Sequence, residues 1–259
     1  MNRLKGKTAM VVGAGSIGPG WGNGKATAVT FARQGAQVFC VDRNGKAAQE
    51  TVDIIASEGG KATAFTADVS RAAEVEAMVA ACLKTYGRID VLDNNVGIAE
   101  MGNVVDVSEA DWDRVFAVNL KSAYLAMKYV IPVMAKQGGG SIINISSIRG
   151  FSPNPGRMTY CAPKAAVIMM TKIAAGEWAH LGIRVNAIAP GVLRTPMWDA
   201  DVARGAIDEP FYLDLVPAKR LGTTEDVGRL AVYLASDASS YVNGSCITID
   251  GALTSIPAG

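Results

Sequence analysis

Short apolar runs alternate with helix-period stretches along this 259-residue chain, and that alternation limits the fold more than any single motif. Strand-like runs fall at residues 8–13, 37–41, 61–66, 89–94, 141–146, 183–189 and 246–250, with helical patterns between them, starting with 25–34 and 46–58. The runs are continuous rather than alternating, as expected of strands covered on both faces. Strands that alternate with helices require right-handed crossovers, hence a parallel sheet with helices on both sides. The pattern predicts one doubly wound α/β domain over residues 1–259, built on a seven-stranded parallel sheet. A long helix is expected to start at Ser108, where Asp111 three residues on makes a capping pair. The one long irregular stretch, 194–222, is expected to act as a lid over a substrate.

Composition excludes several classes. Hydrophobic residues make up 49% and charged residues 19%, too apolar for intrinsic disorder. Lys plus Arg is 25 against 24 Asp plus Glu, so no excess field draws phosphates, and neither nucleic acid nor a membrane surface is an expected partner. Cys40, Cys82, Cys161 and Cys246 lie far apart, and with the single His180 they lack zinc-site spacing, so no metal is expected. They read as small core residues of a reducing, cytoplasmic compartment. No signal peptide and no membrane-spanning run is read.

The loop after the first run contains Gly13-Ala14-Gly15-Ser16-Ile17-Gly18, a literal GxGxxG. Pro19, Gly20, Gly22 and Gly24 follow, so no helix can begin at Gly18. The helix starts near Asn23 or Gly24 instead. Gly13 is assigned to the tight turn, Gly22 to the close approach and Gly24 to helix packing, in a loop enlarged by about five residues over the usual motif. Such a loop presents bare N–H groups and a helix N-terminus to a pyrophosphate. A nucleotide-binding Walker reading of Gly24-Lys25 fails, because Ala26 stands where Ser or Thr is required. Asp42 ends the second run; a carboxylate there accepts from ribose hydroxyls and repels a 2′-phosphate, favouring NAD over NADP. Trp21 offers no cation for that phosphate, although Arg43 could.

Tyr-x-x-x-Lys occurs at Tyr124–Lys128 and at Tyr160–Lys164. The first reads as plain helix surface. The second follows a strand ending in Ser146-Ser147 and opens a helix, where positions i and i+4 share one face. An ammonium beside a phenol stabilises the phenolate and makes the group a usable acid or base at neutral pH.

With these pieces in order, the sequence resembles the short-chain dehydrogenase/reductase family over about residues 5–252. The resemblance rests on the Gly13/Gly22/Gly24 loop, Asp68-Val69, Asn94-Asn95-Val96-Gly97, Val118-Asn119, Ser147, Tyr160-x-x-x-Lys164, Asn186, and Pro190-Gly191 followed by Thr195. It implies a Rossmann-type fold, hydride transfer between NAD(H) and a secondary alcohol or ketone, and a homotetramer with long helices at an interface. The catalytic set it implies is Asn119, Ser147, Tyr160 and Lys164. Tyr160 would exchange the substrate proton, Ser147 would hold the substrate oxygen, and Asn119 would hold a relaying water. Lys164 would bind the nicotinamide ribose and tune Tyr160. The implied cofactor groove runs from Gly13, Gly22, Asn23 and Gly24 to Asp42 and Arg43. It continues over Asp68 and Val69, then Asn95, Val96 and Gly97. It ends at Pro190, Gly191, Val192 and Thr195.

Two departures stand out. Val96 replaces the family's usual Ala beside the cofactor. The enlarged loop is similar to that of the enoyl reductases of fatty-acid synthesis, but those carry a Tyr seven residues before the Lys, where this chain has Arg157. Double-bond reduction is therefore rejected. A 3-oxoacyl thioester reductase and a non-catalytic dinucleotide sensor are the alternatives, the second disfavoured because all four catalytic positions are filled. His180 is read as a helix C-terminal cation, Met169-Met170 as core, and Cys161 as redox-inert. Arg149 is read as a surface or subunit-contact residue, with a cation for an anionic substrate as the second possibility. Met197, Trp198 and Phe211 are expected to cap an apolar substrate or to pack an interface.

Overall fold

The computed structural model describes residues 2–205 and 207–255. Its elements follow the predicted alternation: β1 (Thr8–Val12), α1 (Asn23–Arg33), β2 (Gln37–Asp42), α2 (Gly45–Ser57), β3 (Lys61–Thr66), α3 (Ala72–Tyr86) and β4 (Val91–Asn94). The second half continues with α4 (Glu109–Phe116), α5 (Ser122–Gln137), β5 (Gly140–Ile145), α6 (Met158–Trp178) and β6 (Ile183–Pro190). After β6 come β7 (Leu193–Arg194), α7 (Pro196–Ala203), α8 (Glu209–Leu215), β8 (Gly222–Thr223), α9 (Thr224–Ala235) and β9 (Cys246–Ile249). Seven strands form one sheet in the order β3-β2-β1-β4-β5-β6-β9, and every pairing is parallel. The sheet separates two apolar layers. One is built with α3, α5 and α6, through Met78, Val130 and Ala174; the other with α1, α2 and α9, through Phe31, Ile55 and Ala231. The fold is Rossmann-type, with both faces covered as the continuous apolar runs require.

The chain reverses its direction of travel across the sheet between β1 and β4, and the carboxyl ends of those strands open a crevice there. Four expectations change in detail. The fourth strand begins at Val91, not at residue 89. The helix that starts at Ser108, whose hydroxyl caps the Asp111 N–H at 3.1 Å, is interrupted by a π-helical turn over Ala117–Lys121 before α5 resumes. The stretch 194–222 holds two short helices, α7 and α8, closed at its base by the β7–β8 pair. Met169 is exposed rather than core, and only Met170 packs inward. No helix among the described residues is long and apolar enough to cross a membrane.

Asp93 lies at the centre of the sheet, in register with Val11 on one side and Ile143 on the other. Its Oδ2 accepts from Asn95 Nδ2 at 2.7 Å, while Oδ1 is buried without a partner. Burial pushes this carboxyl up to about 7. An unfolded aspartate ionises near 4, so between those values the folded chain holds a proton that the unfolded chain has released, and stability falls as pH rises. Asp93→Asn keeps an acceptor for Asn95 and removes that loss. The variant's stability is expected to gain on the wild type's between pH 5 and pH 8, by at most about 3 kcal/mol, read as a rise in its relative thermal midpoint. Parallel pH profiles for the two proteins would contradict a buried, proton-holding Asp93.

Candidate active site

Chain segments leaving β1, β4, β5 and β6 enclose a cavity of about 270 Å³ lined by Asn23, Asn95, Ser147, Tyr160, Lys164 and Thr195, among others. The parallel sheet delivers these residues together because all its carboxyl ends face one way.

Gly13 and Gly24 take the turn and the helix-packing positions expected of them. Gly13 takes φ +86°, a left-handed turn. A Cβ on Gly24 would sit 1.9 Å from the Gly13 carbonyl oxygen, so helix α1 packs on β1 only through a bare backbone. Gly22 is the N-cap of α1 and supplies no side-chain cap, and no acidic residue occupies the first turn. The first N–H groups of α1 are thus left for an anion. Ser16 Oγ and Asn23 Oδ1 are buried without partners in the same loop, which fits a polar ligand seated there. Lys25 does not serve a phosphate: it is buried and paired with Glu50 at 2.8 Å, in keeping with rejection of the Walker reading. Gly15, given no role in the sequence, has one here. Its N–H donates to Asp42 Oδ2 at 2.9 Å, and a Cβ would meet that same oxygen at 2.8 Å. Asp42 is fixed by this bond and by the Asn44 N–H on Oδ1 at 2.9 Å, with lone pairs left for ribose hydroxyls. Arg43 is exposed beside it.

Along the crevice, the Asp68 carboxylate accepts from the Ser70 hydroxyl at 2.6 Å, which together with the Ser70 N–H and the charges of Arg71 and Arg43 holds it below its usual range. Val69 beside it is buried. Val96 turns toward Gly13, its methyl 3.1 Å from where a Gly13 Cβ would lie, and does not line the main cavity. The extra bulk fills the space over the glycine turn instead of reshaping the cavity wall. Gly97 lies against Lys164, whose Nζ would stand 3.4 Å from a Cβ there. Pro190, Gly191, Val192 and Thr195 line the opposite wall, and Thr195 caps α7 by accepting from the Trp198 N–H at 3.3 Å.

Ser147, Tyr160 and Lys164 meet in the cavity. Lys164 is buried, donates to the Ile145 carbonyl at 2.8 Å, and is lowered by burial to about 8, so its ammonium persists at neutral pH. Its Nζ stands 5.7 Å from the centre of the Tyr160 ring. Burial raises the Tyr160 phenol above its usual value; Ser147, Arg157 and Arg149 pull it back, while Cys161 pushes it further up. Lys164 and the two arginines are the cations around Tyr160. Asn119 reaches the site from the π-helical turn, but both its polar atoms are engaged with one residue. Its Oδ1 accepts from Ile98 N and its Nδ2 donates to Ile98 O, each at 2.8 Å. It clamps the 95–98 segment, a role invisible in the sequence because Ile98 is a non-polar residue 21 positions away.

Over the far side lies the 194–222 segment. Met197 and Trp198 line the cavity, whereas Phe211 is exposed and outside it. Ile207 and Tyr212 also line it, and Tyr212 packs edge-on to Trp198 at 5.1 Å. Glu209 joins the pieces by accepting from Trp198 Nε1 at 3.0 Å and pairing with Arg194. The enlarged glycine loop reaches this segment: Cβ atoms on Gly18 and Gly20 would lie 3.8 and 3.3 Å from Pro196. Arg149, Asn154 and Arg157 complete the wall beside Tyr160. The Tyr124–Lys128 pair is exposed on α5, away from the cavity. The cysteines are all free, and among the described residues no cluster of metal ligands exists.

Comparison with known proteins places this geometry among relatives. The family described as enoyl-(acyl carrier protein) reductase matches residues 18–254. A 3-oxoacyl-[acyl-carrier-protein] reductase of Thermotoga maritima is 41% identical over 255 residues, covering 97% of this chain and 99% of that one. Among solved structures, a gluconate 5-dehydrogenase from Burkholderia cenocepacia in complex with NADP and tartrate superposes with a TM-score of 0.91 at 33% identity, covering 99% and 98% of the two chains. A 7α-hydroxysteroid dehydrogenase complexed with NADH and 7-oxo glycochenodeoxycholic acid superposes with a TM-score of 0.88 at 34% identity, covering 96% and 95%.

Removing the Asn119 clamp tests the arrangement of the 95–98 wall. Asn119→Ala leaves the Ile98 N–H and C=O unpartnered, a cost of about 2–4 kcal/mol in stability. Dinucleotide affinity is expected to weaken by more than about tenfold because the wall loosens. Unchanged melting and unchanged affinity would mean that Ile98 is held by something else.

Proposed function

Because the chain belongs to the short-chain dehydrogenase/reductase family, we propose that it is an NAD-dependent oxidoreductase interconverting a secondary alcohol and a ketone. The observation that carries this reading is the single cavity. It has Tyr160, Ser147 and Lys164 on one wall and the segment from Pro190 to Thr195 on the other, and Asn23 at the start of α1 opens onto it. Loop and groove fit a dinucleotide, which when bound supplies or accepts the hydride at its nicotinamide ring.

The chain's own residues do the rest. The uncapped start of α1 and the Gly13–Gly24 loop hold the pyrophosphate. Asp42, pinned by Gly15 and Asn44, accepts from the adenosine ribose and excludes a 2′-phosphate, which supports NAD over NADP. Arg43 is the residue that could offset this preference. Asp68 and Val69 border the adenine. Asn95, Val96 and Gly97 back the groove, and Pro190, Gly191, Val192 and Thr195 border the nicotinamide side. Lys164 holds the nicotinamide ribose with its buried ammonium. Ser147 donates to the substrate oxygen, and Tyr160 gives that oxygen its proton in reduction or takes it in oxidation. Asn119 keeps the 95–98 wall in place through Ile98. The 194–222 segment forms the lid over the substrate.

A reductase of 3-oxoacyl thioesters is the second reading, favoured by the 41% identity to the Thermotoga maritima enzyme. We also propose a homotetramer, with the outer faces of α5 and α6 in contact. Tyr124 on α5 and Met169 and Ile173 on α6 are 48%, 56% and 54% exposed, apolar side chains that a partner copy would cover.

Two measurements test the reading. Tyr160→Phe is expected to lower turnover by about 10²- to 10⁴-fold while leaving dinucleotide affinity nearly intact. Retained turnover removes the phenol from the chemistry. In steady-state assays NAD should saturate the wild type far below the NADP concentration required, and Asp42→Ala should narrow that gap. An equal or reversed preference in the wild type would assign the choice to Arg43.

A further inference from the structure

The substrate side of the cavity carries more positive charge than proton transfer to a neutral ketone needs. Arg149 lies in the one-turn 3-10 segment after Ser147, its N–H donating to the Ser147 hydroxyl at 3.1 Å. Arg157 is the N-cap residue of α6, three positions before Tyr160, and is held in place by its bridge to Gly102. Both line the cavity and both are partly shielded from water. Thirteen cation–carboxylate contacts within 4.0 Å occur among the described residues, and neither guanidinium takes part in any of them. Among the described residues the Arg149 side chain has one protein acceptor, the Ser152 carbonyl at 3.4 Å, and the Arg157 side chain has none. The lining holds a single carboxylate, Asp201, and Arg204 engages it at 2.7 Å. Both arginines share the cavity wall with Tyr160, the residue that serves the substrate oxygen. Asp42, at the end of β2, is not among the residues that line this cavity.

Guanidinium groups kept unpaired in a half-dehydrated pocket are poised for an anion, and their planar forks match a carboxylate. We propose that Arg149 and Arg157 form a carboxylate clamp, and that the substrate is a hydroxy acid or oxo acid whose carboxylate lies a few bonds from the reacting carbon. This specificity rests on the hydride-transfer reading; the clamp itself does not.

The experiment compares 3-oxocyclohexane-1-carboxylate with its methyl ester, a near-isosteric neutral ketone, in NADH-dependent reduction. The acid is expected to exceed the ester in kcat/KM by about 10- to 100-fold, the range for charged hydrogen bonds. Arg149→Gln and Arg157→Gln should each shrink that ratio, and the double variant should bring it near one. A wild-type ratio near one, or a ratio unchanged in a folded double variant, overturns the clamp. If neither ketone is reduced, the hydride-transfer reading fails for this substrate class, and calorimetric titration of both compounds into the NAD-loaded protein still decides the clamp. Tighter binding of the acid that is lost in the double variant supports it; equal binding of acid and ester overturns it. Preferential binding of cyclohexyl phosphate over the carboxylate in the same titration also overturns it, by assigning the arginines to a phosphate ester.

Discussion

The buried ammonium of Lys164 fixes the position of the site. Its Nζ donates to the last residue of β5, the Ile145 carbonyl, and its own carbonyl accepts from the Ser146 hydroxyl, each at 2.8 Å. These bonds lock α6 to the sheet at one register, and Tyr160, one turn earlier, therefore projects into the cavity at the end of β5. The neighbouring chain fits only because it is bare: a Cβ on Gly150 would approach the Lys164 carbonyl oxygen to 2.9 Å, and Gly97 flanks the ammonium itself. An unpartnered charge at this depth would be costly, and the carbonyl bond and the open cavity beside it offset that cost.

The rest of the site is assembled around that lock. Asn119 holds the wall after β4, and Thr159 ties the start of α6 to the same wall by donating to the Glu100 carbonyl at 2.8 Å. On the other side the enlarged glycine loop leans on Pro196 at the root of α7, so the glycine loop and the 194–222 segment share a contact. Glu209 then ties α8 back to Arg194 and Trp198. The glycine loop and the wall formed by α7 and α8 are one packed unit, which gives the additional loop residues a structural purpose.

Much of this was legible in the sequence. The strands could be read because parallel strands covered on both faces must be continuously apolar. Two glycine assignments were legible because turn and close-packing demands are local: Gly13 and Gly24 stand where backbone geometry requires them. What escaped the sequence depends on distant pairing. Arg157 marks the absence of a tyrosine in the sequence and becomes a cavity residue only when its segment is stitched to Gly102. The π-helical turn that swings Asn119 onto Ile98 is hidden inside an unbroken helical period. Asp93 lies in the 89–94 run, and nothing in that strand pattern shows that its carboxyl is fully buried in the middle of the sheet. The tuning of Tyr160 could not be read from i and i+4 spacing, because the balance among burial, Ser147 and the two arginines is set by three separate segments.

The central claim is that this cavity brings a secondary carbinol carbon against a nicotinamide ring while Tyr160 serves the oxygen. The most direct measurement is a single turnover with NADH deuterated at the transferring C4 position and a ketone substrate, followed by NMR of the alcohol. Deuterium bonded to the carbinol carbon, at a rate slowed relative to unlabelled NADH, is the predicted result. An alcohol whose carbinol hydrogen comes from solvent, or a protein that binds the labelled cofactor and transfers nothing to any ketone, contradicts it.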